Sequence, residues 1–104
     1  MQENRLVPRH RVDCPVTFVV EDVAGTGTVF NLSEQGCAIE SLAPVPNEGY
    51  ASVSITLPDQ ADPVVVELAR LRWVTRVEFG LEFRILSRTA RRRLQRFLLI
   101  DQVA

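Results

Sequence analysis

A two-residue period restricts this chain more than any other feature. Tyr50 to Leu57 alternates cleanly, with Ala51, Val53, Ile55 and Leu57 on one side and Tyr50, Ser52, Ser54 and Thr56 on the other. Val77 to Ile85 repeats the pattern, setting Val77, Phe79, Leu81, Phe83 and Ile85 against Glu78, Gly80, Glu82 and Arg84. Successive side chains of a strand point to opposite faces, so this alternation suits a sheet with one buried face and no helix. Four further segments rich in β-branched and aromatic residues fit the same role: Pro15 to Glu21, Thr28 to Leu32, Cys37 to Ser41 and Val64 to Val74. Gly25-Thr26-Gly27 reads as the hairpin between the first two strands, Ser33 to Gly36 as a turn, and Pro44 to Gly49 and Pro58 to Pro63 as loops. Six strands at short, regular spacing predict a closed antiparallel barrel or a sandwich.

Only the end of the chain carries a helical period. Ala90, Leu94, Phe97 and Leu98 recur at helical spacing behind Ser87, a good N-cap, while Arg88, Arg92 and Arg96 fall on a separate face. A helix of about four turns is marginal by itself, so its apolar stripe must pack on the sheet. The first twelve residues are polar and arginine-rich, with Pro8 blocking helix at Val7; they read as an extended, mobile arm. The expected organisation is one domain: arm 1–12, β-barrel 13–86 and packed helix 87–101.

Charge and composition narrow the chemistry. At 104 residues with 46% hydrophobic content the chain can bury one modest core. A net charge of −1 argues against binding a nucleic acid polymer by bulk electrostatics. The longest apolar runs fall far short of the ~20 residues a membrane span needs. The first residues show no apolar signal region, so a cytoplasmic protein is expected. All 12 basic residues are arginine, with three clustered in Arg5 to Arg11 and five in Arg88 to Arg96. The run Arg91-Arg92-Arg93 with Arg96 reads as a solvated helix face, or else as a docking surface for an acidic partner or anionic lipid. Cys14 and Cys37 lie in apolar strand contexts and read as reduced core thiols. One histidine, His10, and no Cys/His cluster leave a zinc site implausible. Neither Asp59 with Asp62 nor Glu78 with Glu82 makes a convincing catalytic pair, and no enzyme activity or cofactor is expected.

Two short stretches carry the functional signal. Arg5-Leu-Val-Pro-Arg9 presents two guanidinium groups, each a flat fork of donors suited to phosphate oxygens and to the O6/N7 edge of guanine. Asn31-Leu-Ser-Glu-Gln-Gly36 adds an amide that can donate and accept, a compact hydroxyl, and a glycine without a Cβ to block close approach. The residues between Arg9 and Asn31 suffice for one strand, a hairpin and a returning strand, so both stretches belong at the same end of the barrel.

In this order, R-x-x-x-R followed by [D/N]-x-S-x-x-G, the pair resembles the PilZ domain family, bacterial receptors for cyclic di-GMP. The segment His10 to Val16 is similar to the family's first barrel strand, Arg72-Trp73-Val74 with Gly80-Leu81-Glu82-Phe83 to its last two strands, and Ser87 to Ile100 to its closing helix. The resemblance spans roughly Asn4 to Ile100. It implies a six-stranded antiparallel β-barrel with an N-terminal arm and one C-terminal helix. It also implies that Arg5 and Arg9 grip the ligand from the arm, while Asn31, Ser33 and Gly36 form a floor. For Trp73 two readings stand open, a guanine contact or a barrel residue at the rim. Arg11 and His10 are weaker candidates, and Gln35 could offer its backbone N–H. Asparagine stands at the first floor position where the family often has aspartate, which weakens pairing to guanine N1–H and N2–H but retains a carbonyl acceptor.

Fixing about six arm residues costs on the order of 6–12 kcal/mol, while each charge-assisted hydrogen bond returns about 1.5–3 kcal/mol. The expectation is therefore a switch: a stand-alone receptor whose arm orders on cyclic di-GMP, acting in trans on an unidentified protein effector in motility, pilus, exopolysaccharide or biofilm control. A PilZ-like adaptor that senses no nucleotide is the alternative, and a small-barrel binder of single-stranded nucleic acid a third class.

Overall fold

The computed structural model describes residues 9–58 and 60–103, with side chains through 99. Six strands, β1 (His10–Val20), β2 (Val23–Leu32), β3 (Gly36–Glu40), β4 (Tyr50–Ile55), β5 (Val64–Val74) and β6 (Glu78–Ile85), precede a single helix, α1 (Arg88–Val103). Every neighbouring pair is antiparallel, and the order β1-β2-β3-β6-β5-β4 closes on itself through the β1–β4 pair. Closure removes the unpaired edges that an open sheet would expose. The six-stranded barrel with one C-terminal helix is thus the observed fold.

The alternating positions fill the interior as their period requires. Ala51, Val53, Ile55 and Leu57 are all buried, as are Phe79, Leu81 and Phe83 from β6. Phe18 and Phe79 meet edge to face, with ring centroids 5.1 Å apart, an arrangement that aligns one ring's positive edge with the other's negative face. The pattern fails at the two ends of the last strand. Val77 lies in the turn before β6 and is 44% exposed, and Ile85 is 50% exposed beyond a register shift that pairs Phe83 with Ala69 but Ile85 with Leu68.

Two boundaries differ from the sequence reading. The first strand begins at His10, so His10, Arg11 and Val12 belong to the sheet, where His10 and Arg11 pair with Leu32 and Asn31. The first hairpin turns at Glu21-Asp22, between paired Val20 and Val23, not at Gly25-Thr26-Gly27. Glu21 adopts a positive φ of 53° there and is held by a pair of bonds to Tyr50: its own N–H donates to the Tyr50 carbonyl at 2.9 Å, and its Oε2 accepts from the Tyr50 N–H at 2.7 Å. The two glycines serve packing within β2. A Cβ on Gly25 would press on the Phe18 ring, and one on Gly27 would strike the Glu40 carbonyl.

The helix caps and packs as its sequence demands. Ser87 Oγ accepts from the Ala90 N–H at 3.0 Å, filling the N-cap role. Ala90, Leu94 and Leu98 are buried, with Phe97 partly so, where α1 lies against β5 and β1. Arg93 departs from the solvated face assigned to its run. Its guanidinium donates to Gln60 Oε1 at 2.6 and 3.0 Å, to the Pro63 carbonyl at 3.1 Å and to the Asp62 carbonyl, pinning the helix to the β4–β5 loop. Arg91, Arg92 and Arg96 remain exposed.

Candidate functional site

One transverse row of paired residues builds a groove on the outside of the barrel. Asn31 of β2 pairs with Ala38 of β3, Ala38 with Gly80 of β6, and Gly80 with Trp73 of β5. The two central positions carry a methyl group and a hydrogen, whereas the flanking ones carry an amide and an indole. Small residues between larger ones make a concavity on a surface that would otherwise be convex. The indole lies over Gly80, where a Cβ would collide with Trp73 Nε1. Trp73 itself stays 40% exposed. The resulting cleft holds about 540 Å³, within the ordinary range for small-molecule sites.

The floor is a tied turn. The Ser33 N–H donates to the Gly36 carbonyl at 2.9 Å, and Ser33 Oγ accepts from the Gln35 N–H at 3.1 Å. Ser33 is buried, so its hydroxyl shapes the turn from within. Two outside bonds fix the turn to the rest of the fold: the Phe83 N–H donates to the Gln35 carbonyl at 2.8 Å, and Gln95 of α1 donates to Glu34 Oε1 at 2.8 Å. Gly36 owes its identity to the protein's own backbone. A Cβ there would strike the Leu81 carbonyl of β6, so glycine lets two strands meet beneath the cleft.

Arg9, just before β1, is exposed and lines the same cleft as Asn31, Ser33, Gly36 and Trp73. The structure therefore brings together five of the six residues singled out from sequence. The sixth, Arg5, lies outside the described residues, as does the rest of the arm through residue 8. Arg11 and His10 are not among the described residues lining the cleft. Cys37 is a buried thiol beside the floor, and burial pushes its pKa up to about 12. It stays protonated and brings neither a nucleophile nor a negative charge to the cleft.

A model of the PilZ domain matches residues 3–99, nearly the whole chain. This chain belongs to the PilZ domain family. Among solved structures, it is similar to the inhibitor of motility MotI/DgrA of Bacillus subtilis, with a TM-score of 0.79 at 16% identity over 98% of this chain. It spans about half of that longer protein, 53%. It is also similar to the PilZ domain of CeSA from a cellulose-synthesizing bacterium, with a TM-score of 0.72 and 16% identity, covering 91% of this chain and 98% of that one. At such identity these likenesses speak for the fold. Among curated proteins no significant sequence match was found. PilZ domains form a family of cyclic di-GMP receptors and adaptors, not enzymes.

Two charged residues of the PilZ cleft escaped the sequence reading as site residues, Arg72 and Glu82. Arg72 sits at a register shift: Leu71 pairs with Leu81 and Trp73 with Gly80, leaving Arg72 as an extra residue in β5. A bulge of this kind re-aims side chains, and here Arg72 and Trp73, though consecutive, both line the cleft. Glu82 arrives by pairing with Gly36 across β3 and β6. No local pattern announces either one. The small outward residues Gly36, Ala38 and Gly80 are a signal that becomes readable once the strand order is known.

Proposed function

We propose that the cleft binds cyclic di-GMP and that the protein is a receptor acting in trans on a partner protein. The observation that carries this reading is the convergence of Arg9, Asn31, Ser33, Gly36 and Trp73 on one groove of nucleotide size. Arg9 supplies charge-assisted donors to phosphate or to the guanine O6/N7 edge, with Arg5 joining it from the preceding segment. The tied turn presents backbone and the Asn31 amide. Trp73 offers a flat indole for stacking, worth about 1–3 kcal/mol per base. Ligand, arm and cleft then make one composite surface. The arm becomes fixed on binding, and an effector in motility, pilus, exopolysaccharide or biofilm control reads that surface. MotI/DgrA, by name an inhibitor of motility, supports a motility process among these.

Titration calorimetry with cyclic di-GMP and with GTP tests the reading. The wild type is expected to bind cyclic di-GMP saturably and to give no comparable signal with GTP. Arg9→Ala is expected to lose affinity by at least two orders of magnitude, the effect of removing a bidentate charged contact of about 3 kcal/mol. A wild type silent at tens of micromolar ligand would leave a partner-docking adaptor as the better account.

A further inference from the structure

The cleft contains one carboxylate among its described lining residues, and its placement is unusual. Glu82 Oε1 is enclosed yet receives no hydrogen bond. Two arginines approach it as ion-pair partners, Arg84 Nε at 3.3 Å and Arg72 Nη1 at 3.6 Å. The side chain as a whole is still 42% exposed, so parts of it other than Oε1 meet the cleft that Glu82 lines. An enclosed acceptor without a donor is a rare feature of folded proteins and calls for a reason. Gly36, its partner across the sheet, has no side chain to cover it. The carboxylate is thus held through Oε1 by two cations and placed on the wall of a groove lined by an indole.

Guanine carries two adjacent donors, N1–H and N2–H, and an ionised carboxylate is an acceptor-only group, each oxygen of which has lone pairs to receive them. The neutral amide of Asn31 matches them less strongly than a carboxylate would. Resting on the cyclic di-GMP reading above, we infer that Glu82 is the specificity residue of this cleft and accepts, through Oε2, hydrogen bonds from the guanine N1–H and N2–H edge. Arg72 and Arg84 act as positioning residues: they hold the carboxylate in place and offset its charge, so the cleft still welcomes a dianion. Arg72, brought to the cleft by the bulge in β5, does this from the same wall as Trp73.

The test is a cycle of two proteins and two ligands. Wild type and Glu82→Gln are titrated with cyclic di-GMP and with cyclic di-inosine monophosphate, which lacks the 2-amino group. Thermal unfolding of both proteins confirms an intact fold. The wild type is expected to prefer the guanine ligand roughly tenfold or more, the value of a charged hydrogen bond. Glu82→Gln is expected to bind cyclic di-GMP about ten- to a hundredfold more weakly and to lose most of that preference. Wild-type binding with an unchanged preference in Glu82→Gln, whether or not overall affinity falls, would overturn the assignment and leave the receptor reading standing. Absence of wild-type binding to cyclic di-GMP would remove the receptor reading, and this inference with it.

Discussion

Two concavities of nearly equal size mark the outside of this barrel, and they differ in almost everything except volume. The first, about 540 Å³, lies across β2, β3, β6 and β5 and offers Arg9, Asn31, Arg72, Trp73 and Glu82. The second, about 510 Å³, lies across β1, β2, β4 and β5 and offers Thr17, Val19, Thr26, Ser52, Ser54 and Val65. No charged side chain is among the described residues lining it. Both hollows arise where small side chains occupy outward strand positions. Only the first surrounds the hollow with directed donors, an acceptor and an aromatic plane. A charged, planar ligand gains affinity from such groups and little from a shallow neutral surface. The shape of a strand face is therefore a weak guide to function, and the polar groups at its rim a strong one.

Substitutions on the two sides should separate them, beginning with the floor of the first. Gly36→Ala places a methyl group against the Leu81 carbonyl, which belongs to backbone and cannot swing away. A loss of stability near the top of the ~1–3 kcal/mol range for overpacking is expected, read as a lower denaturation midpoint, together with weakened ligand binding because the tied turn moves. A midpoint equal to wild type would mean that β3 and β6 are not this close. Trp73→Ala comes next. It should weaken cyclic di-GMP by about 1–3 kcal/mol in a binding titration, and an unchanged affinity would return Trp73 to a purely structural role at the rim. The smallest effect belongs to the neutral side: Val65→Thr, at a 45% exposed position, should shift stability by no more than about 0.5 kcal/mol and leave the binding isotherm unaltered. A weakened isotherm there would erase the contrast between the two hollows.

The same contrast explains what the sequence could disclose. Strand period is a local property, so Ala51, Val53, Ile55 and Leu57 announce their burial without any knowledge of the fold. Glycine is ambiguous by nature. Gly25 and Gly27 read as a turn, although they relieve crowding against Phe18 and the Glu40 carbonyl, and the real turn uses Glu21-Asp22 with its bonds to Tyr50. Arg9 with Asn31, Ser33 and Gly36 stood out because the spacing of each stretch is itself informative. Arg72 and Glu82 did not, because one depends on a register shift between Leu71 and Trp73 and the other on a partner residue far away in the chain. Arg93 illustrates the same limit outside the cleft. Within a run of identical residues, only the position of the β4–β5 loop marks it as an anchor.

The most direct test of the central assignment is a map of backbone amide shifts in isotope-labelled protein as cyclic di-GMP is added. The largest changes are expected at Arg9, from Asn31 to Ala38, at Arg72 and Trp73, and from Gly80 to Glu82. Changes centred instead on Thr17 to Thr26 and Ser52 to Ser54, or none at saturating ligand, would contradict the assignment of this cleft.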